Sequence, residues 1–358
     1  MSSPQPNSLE YPVAEFIRSR ACPACYVCGC HGEPLYENLQ DRLFGAAGLW
    51  NLKSCSNPRC GLVWLDPMPR EEDIGKAYEG YVTHSDPVGA LIRPTLPRRL
   101  IRAVKKRYLS FAYGYTNGGT GFYHKVPGLF AYLAPFRRAG LNFTVMYLPA
   151  LPGGRLLDVG CGSGTMLKSM GELGWQVEGV DFDPGAVENC KSKGLKVNLG
   201  KLEDVHYAEN TFDAIMMSHM IEHVHSPLGL LAECRRILKP GGRLSIATPN
   251  INSLGRRMFR SSWFPLDPPR HLHLFTVEAL KTLLRKAGFR RMKVFTSIHG
   301  ANMMFVANRS IKLTGRYRMG APHSRVVGAW AKMMQTIEWT LLNIGFEVGE
   351  ELTVLAEK

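Results

Sequence analysis

At 358 residues the chain exceeds one typical domain, and 45% apolar residues suffice for a real core. No apolar run reaches the roughly 20 residues of a membrane-crossing helix, and Met1-Ser2-Ser3-Pro4-Gln5-Pro6 lacks the basic and apolar regions of a signal peptide, so a cytoplasmic protein is expected. Net charge is +14, unevenly placed: between Asp86 and Asp158 there are 11 basic residues and no acid, and Arg309, Lys312, Arg316, Arg318, Arg325 and Lys332 face only Glu338 before Glu347. Such asymmetry suits an anionic partner, whether a phosphate-bearing substrate, a membrane surface or nucleic acid, against the plainer reading of a solvated face.

Residues 1–20 are polar and contain proline, which predicts a flexible arm. A cysteine cluster follows. Cys25-Tyr26-Val27-Cys28-Gly29 and Cys55-Ser56-Asn57-Pro58-Arg59-Cys60-Gly61 are two pairs, each closed by a glycine that permits the turn. In a chain with no export signal, two such pairs predict a structural zinc ribbon over 21–86 rather than disulfides. Cys25, Cys28, Cys55 and Cys60 are the candidate ligands, with Cys22 or Cys30 as substitutes for the first pair.

Leu62-Val63-Trp64-Leu65 predicts a strand and Glu71 to Tyr81 a short helix. Residues 87–150 predict a basic helical linker. Within it Leu100 to Leu109 mixes apolar and basic residues as a surface-seeking helix would, so 93–107 is a candidate for peripheral contact with the inner membrane surface. Thr116 to Gly121 reads as a loop and candidate lid.

From 151 the pattern changes to alternating strands and helices, with strands near 155–159, 176–180, 195–199, 212–218, 242–248, 291–297 and 351–357. That alternation predicts an α/β fold around a largely parallel sheet, with the ligand at the carboxyl ends of the strands. The first strand runs into Asp158-Val159-Gly160-Cys161-Gly162-Ser163-Gly164, whose glycines let a ligand approach the main chain. The second ends in Val180-Asp181, a carboxylate placed for ribose hydroxyls. A dinucleotide site shares this grammar, but the Gly-x-Gly-x-Gly spacing differs from the dinucleotide fingerprint.

Leu156 to Gly164, Val180-Asp181, Leu202-Glu203-Asp204, Asn210 to Ile215 and Leu238 to Leu244 recur in the order found in class I S-adenosylmethionine-dependent methyltransferases, which the chain resembles from about 153 to 298 and at its last few residues. The resemblance implies a Rossmann-like seven-stranded sheet whose last strand runs antiparallel between the fifth and sixth, making 300–349 an insertion with a helix from Val326 to Ile344. It implies S-adenosylmethionine held by Asp158, Gly160, Cys161, Gly162, Asp181, Phe182, Leu202, Glu203 and Ser218. Gly61 to Trp64, the Asp66-Pro67 turn and Tyr78 to Tyr81 resemble the N-terminal module of a bacterial methyltransferase subfamily.

Ser218-His219-Met220-Ile221-Glu222-His223 looks like the segment of ubiquinone-biosynthesis O-methyltransferases in which a Glu-x-x-Glu-His set accompanies a divalent ion, with His219 in place of the first Glu. A divalent ion near Glu222 is therefore a candidate cofactor beside zinc. His271-Leu272-His273 alternates, so in extended chain both rings face one side, expected to be the substrate's. His219, His223, His271 and His273 are the catalytic candidates, imidazole being suited to taking a hydroxyl proton. The expected reaction is methyl transfer to a hydroxyl of a small or lipid-linked anionic acceptor: a sugar, a glycan or a quinone-like ring. An rRNA methyltransferase, a sugar C-methyltransferase and a non-catalytic cofactor-binding protein are the alternatives; nucleic acid ranks behind a small molecule because the Asn/Asp-Pro-Pro-Tyr signature of many base methylators is absent.

Overall fold

A computed structural model describes residues 16–79, 96–115 and 135–358. The candidate lid at 116–121 and most of the arm lie outside these residues. The arm's last residues are tied down: Ser19–Arg20 (β1) pairs with Met68–Pro69 (β5), and Arg18 grips Asp73 through Nε at 2.7 Å. Between them Gly32–Leu39 (β2), Trp50–Cys55 (β3) and Val63–Leu65 (β4) form an antiparallel meander. The ring of Trp64 crosses so close to Gly32 that a Cβ there would lie 2.6 Å from it. The segment after β5 is the expected short helix, of 3-10 type over Glu71–Tyr78; Gly80 and Tyr81 lie outside the described residues.

The strands expected in the second half form one sheet: Arg155–Val159 (β6), Gln176–Asp181 (β7), Val197–Leu199 (β8), Phe212–Ser218 (β9), Leu238–Pro249 (β10), Arg291–Ser297 (β12) and Glu351–Glu357 (β13). Their order is β12-β13-β10-β9-β6-β7-β8, parallel except for β13, which runs antiparallel to both neighbours. Apolar runs such as Leu156-Leu157 and Ile215-Met216-Met217 are fully buried because helices cover both faces. The chain is thus α/β with a Rossmann-like sheet, as the alternation predicts.

The two halves share more than contact. His273–Leu274 (β11), from the loop after β10, adds to the free edge of β4, so the meander's sheet reads β11-β4-β3-β2. One apolar cluster runs from Trp64 and Leu65 through Leu272 and Phe275 to Ile221 and Ile251. The Arg270 guanidinium, wholly buried, reaches from the same loop to Asp41 beside β2 with two bonds of 2.8 Å.

The insertion forms two helices, Ala301–Thr314 and Arg325–Asn343, the second within one residue of the expected bounds. They pack on Phe259 and Ile298 through Phe305, Ile311, Ala331 and Met334. Glu338 points inward. Its Oε1 accepts from the Glu350 amide at 3.0 Å while Oε2 has no partner, and Glu350 accepts from Trp263 Nε1 at 2.9 Å and the Gly255 amide at 2.5 Å. Burial, then the Glu350 charge, pushes Glu338 up to about 9, and burial pushes Glu350 up to about 7. Folding thus retains protons that the unfolded chain, with glutamate near 4.3, releases. Stability is full below about pH 4 and falls as pH rises through 7 and 9, by up to about 1.4 kcal/mol per pH unit for each group. Glu338→Gln is expected to raise the melting temperature at pH 8.5 and change it little at pH 5; a wild-type melting temperature that is flat between those pH values would refute the protonated pair.

Candidate active site and thiolate centre

The loop from β6 into the helix Thr165–Glu172 turns on Gly160, Gly162 and Gly164, all at positive φ. At Gly160 a Cβ would strike Met220 Cγ at 2.6 Å, whereas at Gly162 it would meet nothing within 4 Å, so the space over the main chain there is open. Asp181, at the tip of β7, accepts the Gly162 amide at 2.8 Å and the Asp183 amide at 3.0 Å, which locks the loop to the next strand. Asp158 is buried, and burial followed by the Asp181 charge lifts it to about 7. Cys161 is also buried, its sulfur against Gly179, with its thiol driven far up by burial; it packs and does not react. Phe182 is exposed at the end of β7, Leu202 is buried before the turn Glu203–Val205, and Ser218 closes β9. Every candidate cofactor residue therefore sits at the carboxyl end of β6, β7 or β9 or in the loop after β8.

The four histidines separate into three environments. His219 lies between two buried carboxylates, Nδ1 3.3 Å from Glu222 Oε1 and Nε2 3.3 Å from Glu351 Oε2. Burial works against its charge, but bonding to Glu222 and Glu351 prevails and raises the ring to about 10. Burial likewise opposes ionisation of Glu222, and His219 outweighs it, holding the carboxyl at about 2. His219 is a cation at neutral pH and a poor proton acceptor. His223 and His271 meet edge to face with centroids 4.6 Å apart. The His223 Nδ1 lies 3.0 Å from Tyr78 Oη and 3.1 Å from the Arg270 carbonyl, and burial, then the His271 charge, keeps this ring down to about 4. His271 Nδ1 is 2.6 Å from the Pro265 carbonyl, which can only accept, so Nδ1 carries the proton and Nε2 is left with its lone pair. His273 does not share the side of His271: its ring is buried 5.4 Å from Tyr26, neither nitrogen has a partner, and burial lowers it to about 3. Pairing of β11 with β4 turns it into the meander.

The methyltransferase domain family matches residues 132–294. A ubiquinone biosynthesis O-methyltransferase of Xanthomonas oryzae pv. oryzae is 41% identical over 108 residues, 28% of this chain and 45% of that one. Its counterpart from Cereibacter sphaeroides is 34% identical over 148 residues, 38% and 60% of the two chains. The chain thus spans about half the length of these curated relatives. The chain carries a class I S-adenosylmethionine-dependent methyltransferase domain. Among solved structures, a SAM-dependent methyltransferase from Archaeoglobus fulgidus is similar at 21% identity and TM-score 0.42, over 66% of this chain and 100% of that one.

The sequence-based grouping of His219, Glu222 and His223 around a divalent ion needs correction. Glu222, His223 and His271 instead offer ligand atoms within 4.8 Å of one another, and His219 sits on the other side of Glu222. The set fits a transition ion: Glu222 is held in place by Thr248 Oγ1 on Oε2 at 2.9 Å and by His219 on Oε1, and the carbonyl bond at each Nδ1 leaves Nε2 as the ligand atom. Four participants escaped the sequence reading. Tyr78 arrives from the N-terminal half, and Arg270 with Asp41 holds the His271 loop; neither has a local signature. Glu351 had one: of two consecutive acids opening an apolar strand, one must point inward.

The cysteines converge as their spacing predicts. Cys25, Cys28, Cys55 and Cys60 offer sulfurs within 4.8 Å of one another, with Cys25 to Cys60 at 3.6 Å and Cys28 to Cys55 at 3.3 Å. Ligands at about 2.3 Å on a tetrahedral ion stand about 3.8 Å apart, so the set fits zinc. Gly29 and Gly61 take positive φ to close the two turns. The Cys60 hydrogen bond pulls Cys25 down to about 5, while burial pushes Cys55 up to about 12. Cys22 and Cys30 stand outside this set.

Proposed function

We propose that the chain transfers the methyl of S-adenosylmethionine to a hydroxyl of a quinone-like or lipid-linked acceptor. The observation that carries the reading is His271, its Nδ1 held by the Pro265 carbonyl and its ring edge to face with His223, in a domain whose glycine loop leaves open space at Gly162. The ubiquinone biosynthesis O-methyltransferases to which the chain is similar support oxygen as the acceptor atom and a ring as its bearer. When bound, S-adenosylmethionine supplies a methyl already activated by its sulfonium, so the protein has only to align and to take up a proton. Gly160 and Gly162 admit the cofactor to the backbone, and Asp181 holds that loop and faces the ribose. His271 Nε2 accepts the hydroxyl proton. His219, fixed as a cation between Glu222 and Glu351, stabilises the developing oxyanion electrostatically. A divalent ion held by Glu222, His223 and His271 would occupy that same nitrogen, and would then replace the ring as proton acceptor by lowering the acceptor's hydroxyl pKa.

Cys25, Cys28, Cys55 and Cys60 are inferred to hold one structural zinc. Elemental analysis is expected to give about one zinc per chain. Cys28→Ser and Cys60→Ser should lose it, and Cys22→Ser and Cys30→Ser should keep it; retention by the first two would remove the assignment. The function is tested by calorimetry with S-adenosylmethionine, followed by transfer of isotopically labelled methyl to dihydroxylated ring acceptors. Absence of cofactor binding would sink the enzyme reading, and binding with transfer only to carbon or to RNA would sink the acceptor.

A further inference from the structure

No acidic residue occurs between Glu278 and Glu338, a span that contains the first insertion helix, the connection and most of the second helix. Glu338 itself is wholly buried, so the outer surface of this hairpin carries no negative charge before Glu347. The same surface exposes large apolar side chains. Along the second helix Val326, Met333 and Ile337, with Ile344 one residue past its end, follow at steps of seven, four and seven residues, which returns each to nearly the same azimuth. They are 79%, 52%, 41% and 66% exposed. Leu313 and Met319 add to the stripe at the hairpin's tip, and Lys312, Arg316, Arg318 and Arg325 are exposed around them, with Lys332 about two turns further on. The inner face is fully employed: Ala331, Met334, Gln335 and Glu338 are buried, and Gln335 Nε2 donates to the Ile298 carbonyl at 3.2 Å.

A row of exposed aliphatic side chains beside cations, on a helix whose other face is already packed, has the chemistry of an interfacial element. Among the described residues no helix is long and apolar enough to cross a membrane, so the contact would be one of lying on the surface. We propose that the hairpin 301–344 docks on an anionic lipid bilayer, inserting Leu313, Met319 and Val326 between headgroups while Lys312, Arg316, Arg318 and Arg325 engage lipid phosphates. Charge complementarity favours this occupant: a second copy of the hairpin would set two acid-free surfaces against each other. Each cation adds about a factor of five to partitioning onto an anionic surface, and the gain fades with salt. The basic stretch 93–107 lies partly outside the described residues.

The full chain, mixed with vesicles of phosphatidylcholine containing 30% phosphatidylglycerol, is expected to co-sediment in 0.1 M salt. It should stay in solution with phosphatidylcholine alone or in 0.5 M salt. Leu313→Asp with Val326→Asp should weaken partitioning by about tenfold or more, with an unchanged melting temperature, because exposed positions carry little folding energy. Arg316→Glu with Arg318→Glu should do the same, whereas Lys106→Glu should not. No binding by the wild type, or binding unaffected by both hairpin pairs, overturns the proposal. A dimer in light scattering that the aspartate pair dissociates, without vesicle binding, would reassign the stripe to self-association and overturn it equally.

Discussion

Asp41→Ala is expected to destabilise the protein by about 3–5 kcal/mol, the range for removing one member of a buried ion pair. Asp41 is the outer carboxylate of a cluster that buries the Arg270 guanidinium completely; Asp267 binds the same group from within its loop, the Ala77 carbonyl accepts from it at 3.0 Å, and the Phe44 ring lies 4.8 Å below it. Asp41 also accepts the amides of Leu43, Phe44 and Ala46, so alanine leaves donors unpaired as well as a cation. Burial opposes the charge on Asp41, but Arg270 prevails and keeps the carboxyl below its usual range. The sign follows: this stabilisation is complete above the unfolded aspartate value near 3.9 and is lost as pH falls through the lower folded one. Denaturant titration of Asp41→Ala and of Asp41→Leu with Arg270→Met separates the effects. The double variant should recover much of the loss, since a pair replaced by apolar groups no longer strands a charge. A cost for Asp41→Ala below about 1 kcal/mol would mean that the two halves are not joined here.

His271→Ala is expected to lower kcat by about 10²–10⁴ while S-adenosylmethionine affinity stays the same. The ring does not border the glycine loop, and its tautomer, set by the Pro265 carbonyl, serves only a proton or an ion arriving at Nε2. His273→Ala provides the contrast. That ring is buried in the meander's edge, so its loss should appear as reduced stability with turnover of the folded fraction retained. Single-turnover measurements with labelled cofactor read both. Equal kcat in wild type and His271→Ala would exclude the proton-acceptor role, and a kcat deficit confined to His273→Ala would reverse the two assignments.

The parts legible in the sequence are those whose physics is local. Glycines at 160, 162 and 164 followed by a helical apolar period specify strand, loop and helix without help from elsewhere, and two cysteine pairs each closed by glycine specify four converging sulfurs whatever lies between them. The side to which a ring points is not local. His271 and His273 obey the same alternation, yet the free edge of Val63–Leu65 captures the second residue and carries it away from the first. His219 is legible as a polar residue at a strand end, but its charge state depends on Glu351, which is 132 positions later and arrives only because the last strand inserts antiparallel in the sheet. The partnership of Asp41 with Arg270 is of the same kind: neither residue differs in sequence from a solvated one.

The strand His273–Leu274 closes one ladder while its flanks belong to the other half of the molecule. A gene fragment starting after residue 86 would therefore leave that strand's amides and carbonyls bare, next to a buried arginine stripped of one of its two carboxylate partners. Such an edge recruits strands from neighbouring copies. The shortened chain should precipitate where the full one stays dissolved, so the C-terminal half is not a unit that could have been shuffled onto another N-terminus unchanged.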